Sequence, residues 1–389
     1  MGQHSGSVFV KLETAKTIPD FFGSGSSLVE GLLAGLNVIG TDINPLAKLI
    51  SDAKTEYSMI PSDLEKEIYR FVDFTLKPMG RPKTINKEKL SFWFKERPIR
   101  ELGYILRFID KVKDHRIRNF FKVSASETIR ESSNTRKDEF KLYRYSEEKL
   151  EKHDPDSFAI MKTKLFRNFR GYQSFYKQMN ERSYHPVSKV YLFDSVNRIP
   201  ASKIAKNSVD IVITSPPYGD SHTTVAYGQY SRLSPEWLGI LKNNVDAKSM
   251  GGKRIQSSIR FGYDSLDEAI SEVKKSNSKR ALEVSSFYID LKNSIKNVST
   301  VVKSGGYVCY VVANRKVAGF SLPTDEAIEC FLEKCGFSHI DTLTRSIPNK
   351  RMPSRNSPSN VAGKTEETMS KEFIIIMQKD PTHNVNIDG

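Results

Sequence analysis

From Glu56 to Val187 the apolar positions recur at helical spacing among many charges, whereas on both sides of that span they gather into short β-branched runs. Phe92-Trp93-Phe94, Tyr104-Ile105-Leu106-Arg107-Phe108, Phe120-Phe121 and Phe158 to Met161 mark the core of a helical module. The flanks read as α/β. Before the module, an amphipathic stretch from Ser27 to Ala34 leads into a strand that ends at Asp42. After it come strands at Lys189 to Phe193, Val209 to Thr214 and Tyr307 to Ala313. Helices are predicted over Phe287–Lys303 and Thr324–Cys335, and a closing antiparallel hairpin over His339–Ile347 and Phe373–Met377. Only Thr17-Ile18 has strand character directly before the first glycine turn. Thr128 to Lys137 reads as a loop, and residues 243–280, rich in Lys, Ser and Gly, as a long mobile one. The chain therefore divides into 1–55, a helical insertion over 56–187, and 188–389.

Two stretches carry chemistry. In the first, the run Val209 to Thr214 is halted by Pro216-Pro217, which forbid both helix and further ladder pairing. That strand end presents the Ser215 hydroxyl, carbonyls on a rigid backbone and the Tyr218 ring. Hydroxyl and carbonyl oxygens can accept both N–H bonds of an exocyclic amine while the ring stacks on the face of the base. In the second, Pro19-Asp20-Phe21-Phe22-Gly23-Ser24-Gly25 precedes a helix, a strand and then Asp42-Ile43-Asn44-Pro45. Glycines at 23 and 25 allow close backbone approach to a ligand, and the helix start offers free amides. Asp42, about 20 residues on, is placed to take ribose hydroxyls. No Lys-Ser/Thr follows the glycines, so a nucleoside-triphosphate loop is not indicated.

Thr214-Ser215-Pro216-Pro217-Tyr218 resembles the catalytic motif of DNA methyltransferases that modify exocyclic amino groups. The Ser form is similar to the cytosine-N4 branch, while adenine-N6 enzymes more usually carry Asp or Asn there. The glycine turn with Asp42-Ile43-Asn44 resembles the S-adenosylmethionine motif of the same family, except that the usual Asp-Pro is inverted to Pro19-Asp20. The segment that normally precedes it and covers the methionine end of the cofactor is not recognisable in Met1 to Ile18.

The resemblance implies a Rossmann-like, seven-stranded, mainly parallel methyltransferase sheet with helices on both faces, the insertion serving target recognition. It implies S-adenosyl-L-methionine as cofactor, held by Asp20, Phe21, Gly23, Ser24, Gly25, Asp42, Ile43 and Asn44. Asp194, at the end of the next strand, would bond the adenine amine or simply cap its turn. Ser215, Pro216, Pro217 and Tyr218 would form the catalytic group. Tyr227 and Arg232, behind that motif, are expected to touch DNA, as are Lys350, Arg351 and Arg355 in the proline-rich stretch between the last two strands. His222, in the same polar loop as Tyr227, is a candidate donor to the base.

Composition changes this picture little. The 389 residues are 38% hydrophobic and 27% charged, and no apolar run is long enough to span a bilayer. Met1 to Val10 does not read as a secretory signal, and the three cysteines read as reduced core residues of a cytoplasmic protein. A net charge of +14 favours a polyanionic partner. Basic clusters at 95–100, 111–118, 136–137 and 162–170 interleave with aromatic rings, a mixture suited to phosphate contact and base stacking. Cys309, Cys330 and Cys335 have no metal-ligand spacing, and none follows a proline as in thiol-dependent cytosine-C5 enzymes. The expected function is transfer of a methyl group to the N4 amine of a flipped cytosine in double-stranded DNA, within a restriction-modification system and beside a cognate endonuclease. Adenine-N6 methylation, RNA guanine-N2 methylation and a catalytically inactive DNA-binding relative are the alternatives.

Overall fold

The β-branched run before the two prolines forms strand β4 (Val209–Thr214), in the middle of a seven-stranded sheet. The computed structural model describes residues 7–11, 25–83, 87–136, 142–219, 231–240, 245–346, 355–356, 366–367 and 371–381. With β1 (Ser7–Lys11), β2 (Asn37–Asp42), β3 (Ser188–Leu192), β5 (Val302–Val312), β8 (Phe337–Ser346) and β11 (Lys371–Lys379), the sheet order is β3-β2-β1-β4-β5-β11-β8. Short pairs β6 (Arg315–Val317) with β7 (Phe320–Leu322), and β9 (Arg355–Asn356) with β10 (Glu366–Glu367), stand apart from it.

The expectation of a mainly parallel sheet is corrected. Only β2–β3 and β4–β5 run parallel; β1 is antiparallel to both neighbours, and β11 to both of its own. Both parallel pairs are joined through helical crossovers, which carry the chain back before it re-enters the sheet. Ser7–Lys11 enters with Phe9 opposite both Ile39 and Val212, so the strand between β2 and β4 is not the one expected before the glycine turn. Thr17-Ile18 lies outside the described residues.

Helices α1 (Ser26–Leu33) and α2 (Pro45–Thr55) flank β2. The insertion is built from α3 (Pro61–Leu76), α4 (Lys87–Trp93), α5 (Glu96–Lys111), α6 (His115–Ser132), α7 (Glu147–Lys152) and α8 (Ser157–Asn180). Its core includes Leu64, Ile68, Phe71, Ile105, Phe121 and Leu165, all 0% exposed. Interlocked rings fill it, with Phe71 edge-on to Phe108 at 5.1 Å. Thr128 to Ser132, expected in a loop, instead completes α6: Thr128 is fully buried and its hydroxyl donates to the Ser124 carbonyl at 2.9 Å.

Helix α8 belongs to two cores at once. Met161, Leu165, Phe169 and Tyr172 sit in the helical module, whereas Phe175 and Met179 pack with Leu28, Leu32 and Val38 of α1 and β2. The helix thus fixes the insertion to the β2 side of the sheet. A second tie follows β4: α9 (Leu233–Leu238) buries Leu233 and Trp237 in the helical module, Trp237 edge-on to Phe94 at 5.5 Å. Ser234 Oγ donates to the Ser126 carbonyl at 2.7 Å.

Residues 243–280 are also not one long loop. After α10 (Val245–Lys248), α11 (Asp264–Ser276) buries Leu266, Ile270 and Val273. That i, i+4, i+7 stripe sits among so many Lys and Ser that composition hides it. Helices α12 (Ser278–Ser299) and α13 (Thr324–Glu333) complete the layer on the main core.

The basic-aromatic cluster near 164–172 is largely spent inside the fold. Lys164 pairs with Glu127 at 3.4 Å and with Glu131, Arg167 pairs with Glu127 at 2.5 Å, and Phe169 and Tyr172 are buried. The Tyr172 hydroxyl donates to the Met59 carbonyl at 2.6 Å. Those cations and rings hold α8 on α6 and α3 and do not form a solvent-facing stacking surface.

Candidate active site

At the carboxyl ends of β2, β3 and β4 the strands splay into one cleft, the position at which open α/β sheets take ligands. Asp42 and Ile43 line it from β2, Phe193 and Asp194 from β3, and Thr214 and Pro216 from β4. Lys248 and Met250 close one side, with Leu291 and Ser294 of α12 and Tyr310 of β5 beneath. The structure therefore brings the acid of the glycine-turn motif and the Pro-Pro motif, far apart in the chain, to a single site.

Asp42 is the most enclosed acid of the cleft. Its Oδ1 accepts from the Asn44 amide at 2.7 Å, while Oδ2 is enclosed and has no partner among the described residues. Burial raises its carboxyl to about 7, against the pull of the Asn44 and Ile43 amides. An enclosed carboxylate oxygen without a donor is a costly arrangement, and it is relieved when a ligand supplies hydroxyl hydrogens. Asn44 is itself buried and caps α2, its Oδ1 accepting from the Leu46 amide at 3.0 Å. Its Nδ2 donates to Ser231 Oγ at 3.3 Å, tying the strand end to the segment that leads into α9. Asp194 lines the cleft and also caps its own turn, accepting from the Val196 amide at 2.9 Å and from Asn197 Nδ2 at 2.5 Å.

Gly25 is the described part of the glycine turn. It stands at the start of α1 with φ +78°, and a Cβ there would lie 2.9 Å from the Ser51 Cα. Gly25→Ala is expected to destabilise the fold by about 1–2 kcal/mol from the left-handed backbone alone, and further from the contact with α2. A urea midpoint unchanged from wild type would show that the turn can relax. Asp20, Phe21, Gly23 and Ser24 lie outside the described residues.

Ser215 stands just past the last hydrogen-bonded residue of β4. Its Oγ is buried and, like Asp42 Oδ2, has no partner among the described residues. Tyr218 is half-buried against the sheet core, and its hydroxyl donates to Glu372 Oε1 at 2.8 Å. Glu372, on β11, also accepts from Arg345 of β8. Neither residue carries a sequence signal, since Glu372 merely precedes an apolar run. Lys248 and Met250 were hidden likewise in the polar 243–280 stretch; their turn is held by Asp290, whose Oδ2 accepts from the Gly251 amide at 2.9 Å. Burial pushes the Cys309 thiol of β5 up to about 11, which keeps it neutral.

Of the expected DNA contacts, Arg232 is exposed and pairs with Glu236 one turn along α9, at 2.7 Å. Arg355 falls on β9. Tyr227, His222, Lys350 and Arg351 lie outside the described residues. No helix among the described residues is long and apolar enough to cross a membrane.

No protein-family model matches the chain. Among solved structures, a protein from Thermus thermophilus assigned as a DNA modification methylase is 20% identical over 24% of this chain and 37% of its own, with a TM-score of 0.18. Its complex with S-adenosyl-L-methionine is 17% identical over 25% and 39%, again at 0.18. These overlaps are too partial to bear on the site. The type II methyltransferase M.MvaI of Kocuria varians is different: it is 40% identical over 393 residues, which span 95% of this chain and 85% of the relative. A relationship of that extent, joined to a cleft that the enclosed Asp42 shares with Thr214 and Pro216, means that the chain belongs to the type II methyltransferase family.

Proposed function

We propose that the protein transfers a methyl group from S-adenosyl-L-methionine to the N4 amine of a cytosine flipped out of double-stranded DNA, as the modifying half of a restriction-modification system. The observation that carries the proposal is the buried Ser215 Oγ, an acceptor with no partner among the described residues, placed where β4 ends between two residues of the Asp42 cleft.

The cleft fits the cofactor. Asp42 Oδ2 is positioned as an acceptor for ribose hydroxyls, and Asp194 can accept from an adenine amine. Ile43 and Phe193 supply apolar walls for a flat ring. Gly25, and Asp20, Phe21, Gly23 and Ser24 of the same turn, would approach the remainder of the cofactor. Bound there, the sulfonium supplies an electrophilic methyl group.

This chain's own residues then do three things. Tyr218 offers a ring face to the displaced base, offsetting part of the few kcal/mol that unstacking costs. Ser215 Oγ and the Pro216 carbonyl accept the two N–H bonds of the amine, drawing its lone pair out of conjugation with the ring. The rigid Pro-Pro backbone holds both acceptors at the strand end, so positioning and electrostatics carry the rate without a covalent enzyme intermediate. Arg232, Tyr227, Lys350, Arg351 and Arg355 are proposed to contact the DNA backbone, and a cognate endonuclease and a cytoplasmic location go with this role.

The test is to incubate the purified protein with unmethylated bacterial DNA and S-adenosylmethionine, digest to nucleosides and identify the product by mass spectrometry. N4-methylcytosine is expected. N6-methyladenine would keep the mechanism and move the target, and no methylated base would overturn the proposal.

A further inference from the structure

We propose that Glu372 is a positioning residue for methyl transfer: through its bond to the Tyr218 hydroxyl it fixes the plane of the ring on which the target base stacks. The inference rests on the reading of Tyr218 given above. Glu372 and Arg345 face each other across β11 and β8. The Glu372 side chain is 4% exposed and that of Arg345 is 44%, so the carboxylate is taken out of water while the guanidinium stays half in it. Arg345 donates through Nε and a terminal nitrogen to Oε2, at 3.2 and 2.5 Å. That leaves Oε1 for the Tyr218 hydroxyl at 2.8 Å.

A carboxyl group buried this deeply is costly unless its oxygens are hydrogen-bonded, and the Tyr218 hydroxyl and the Arg345 guanidinium each supply a donor to one of them. The consequence for Tyr218 is geometric. Its backbone end is set by the two prolines before it and its hydroxyl end by two strands from the far side of the sheet, so neither side-chain torsion is free. A ring pinned at both ends is ordered before the base arrives. A phenylalanine would keep the stacking face but lose the distal pin, and the ordering would then be drawn from the binding energy of the flipped base.

The experiment compares wild type, Tyr218→Phe, Glu372→Gln and the double variant for single-turnover methylation rate, for KM of the cofactor and for thermal unfolding. Tyr218→Phe is expected to lower the rate about five- to tenfold, the scale of immobilising one side chain, with the cofactor KM unchanged. Glu372→Gln is expected to lower it comparably, and the double variant no further than the slower single one. A Tyr218→Phe rate within twofold of wild type would overturn the proposal. So would equal losses from Glu372→Gln in the Tyr and Phe backgrounds, because a merely structural role is blind to the hydroxyl. Wild-type protein that methylates no base would overturn the proposed function and this role together, whereas an active wild type with an indifferent Tyr218→Phe overturns this role alone.

Discussion

Ser215→Ala is expected to slow methyl transfer about a hundred- to a thousandfold, the scale of deleting one preorganised group that acts on charge developing in the transition state. S-adenosylmethionine affinity should stay within about twofold, because the proposed interaction is with the target amine and not with the cofactor. The structure motivates both halves. Ser215 Oγ is buried without a partner among the described residues, so its removal leaves no stranded donor or acceptor in the free protein. It also lies outside the lining of the Asp42 cleft, although Thr214 and Pro216 on either side belong to it. Single-turnover kinetics and calorimetric titration of the cofactor separate the two. Equal losses in rate and in cofactor binding would remove Ser215 from the role of amine acceptor.

For Asp42, burial holds the carboxyl at about 7 in the free protein, against an ordinary value of 3.8. Between those limits the folded chain keeps a proton that the unfolded chain has released. This group's contribution to stability is therefore present in full below about 4 and is lost as the pH rises towards 7. Cofactor binding runs the other way. Ribose hydroxyls donating to Oδ2 favour the ionised form, so affinity for S-adenosylhomocysteine, an unreactive probe, should rise from pH 6 to pH 8 and level off above the raised value. Asp42→Asn is expected to weaken binding about ten- to a hundredfold at pH 8, the scale of hydrogen bonds to a charged acceptor, and to flatten the pH dependence. Calorimetry across that range decides it; a profile that Asp42→Asn leaves unaltered would mean that another group titrates.

The two predictions concern neighbouring groups because Asp42 ends β2 and Ser215 directly follows the end of β4, two strands that point the same way. The chain keeps these strand ends together although β1, the strand between them, runs opposite to both. The site depends on where β2, β3 and β4 stop, not on the direction of the strand that fills the gap.

What the sequence determined by itself was local. Two prolines after a β-branched run compel a strand to end at Thr214 whatever surrounds it, and Asn44-Pro45 caps and starts α2 through bonds within a few residues. The strands around these motifs, the helical character of the insertion and the final hairpin were legible for the same reason, since periodicity of apolar positions reports which face is buried. What only the tertiary structure decided depends on partners distant in sequence. Strand direction is one such property: the apolar run Val8-Phe9-Val10 reads the same whichever way the strand runs, and pairing with β2 and β4 chose. The fate of charges is another. Lys164 and Arg167 read as phosphate contacts until Glu127 and Glu131 face them from α6, and Glu372 carries no signal at all until Tyr218, 154 positions away, donates to it. A charged side chain takes its role from whatever group the fold places within hydrogen-bonding reach, and no pattern along the chain encodes that distance.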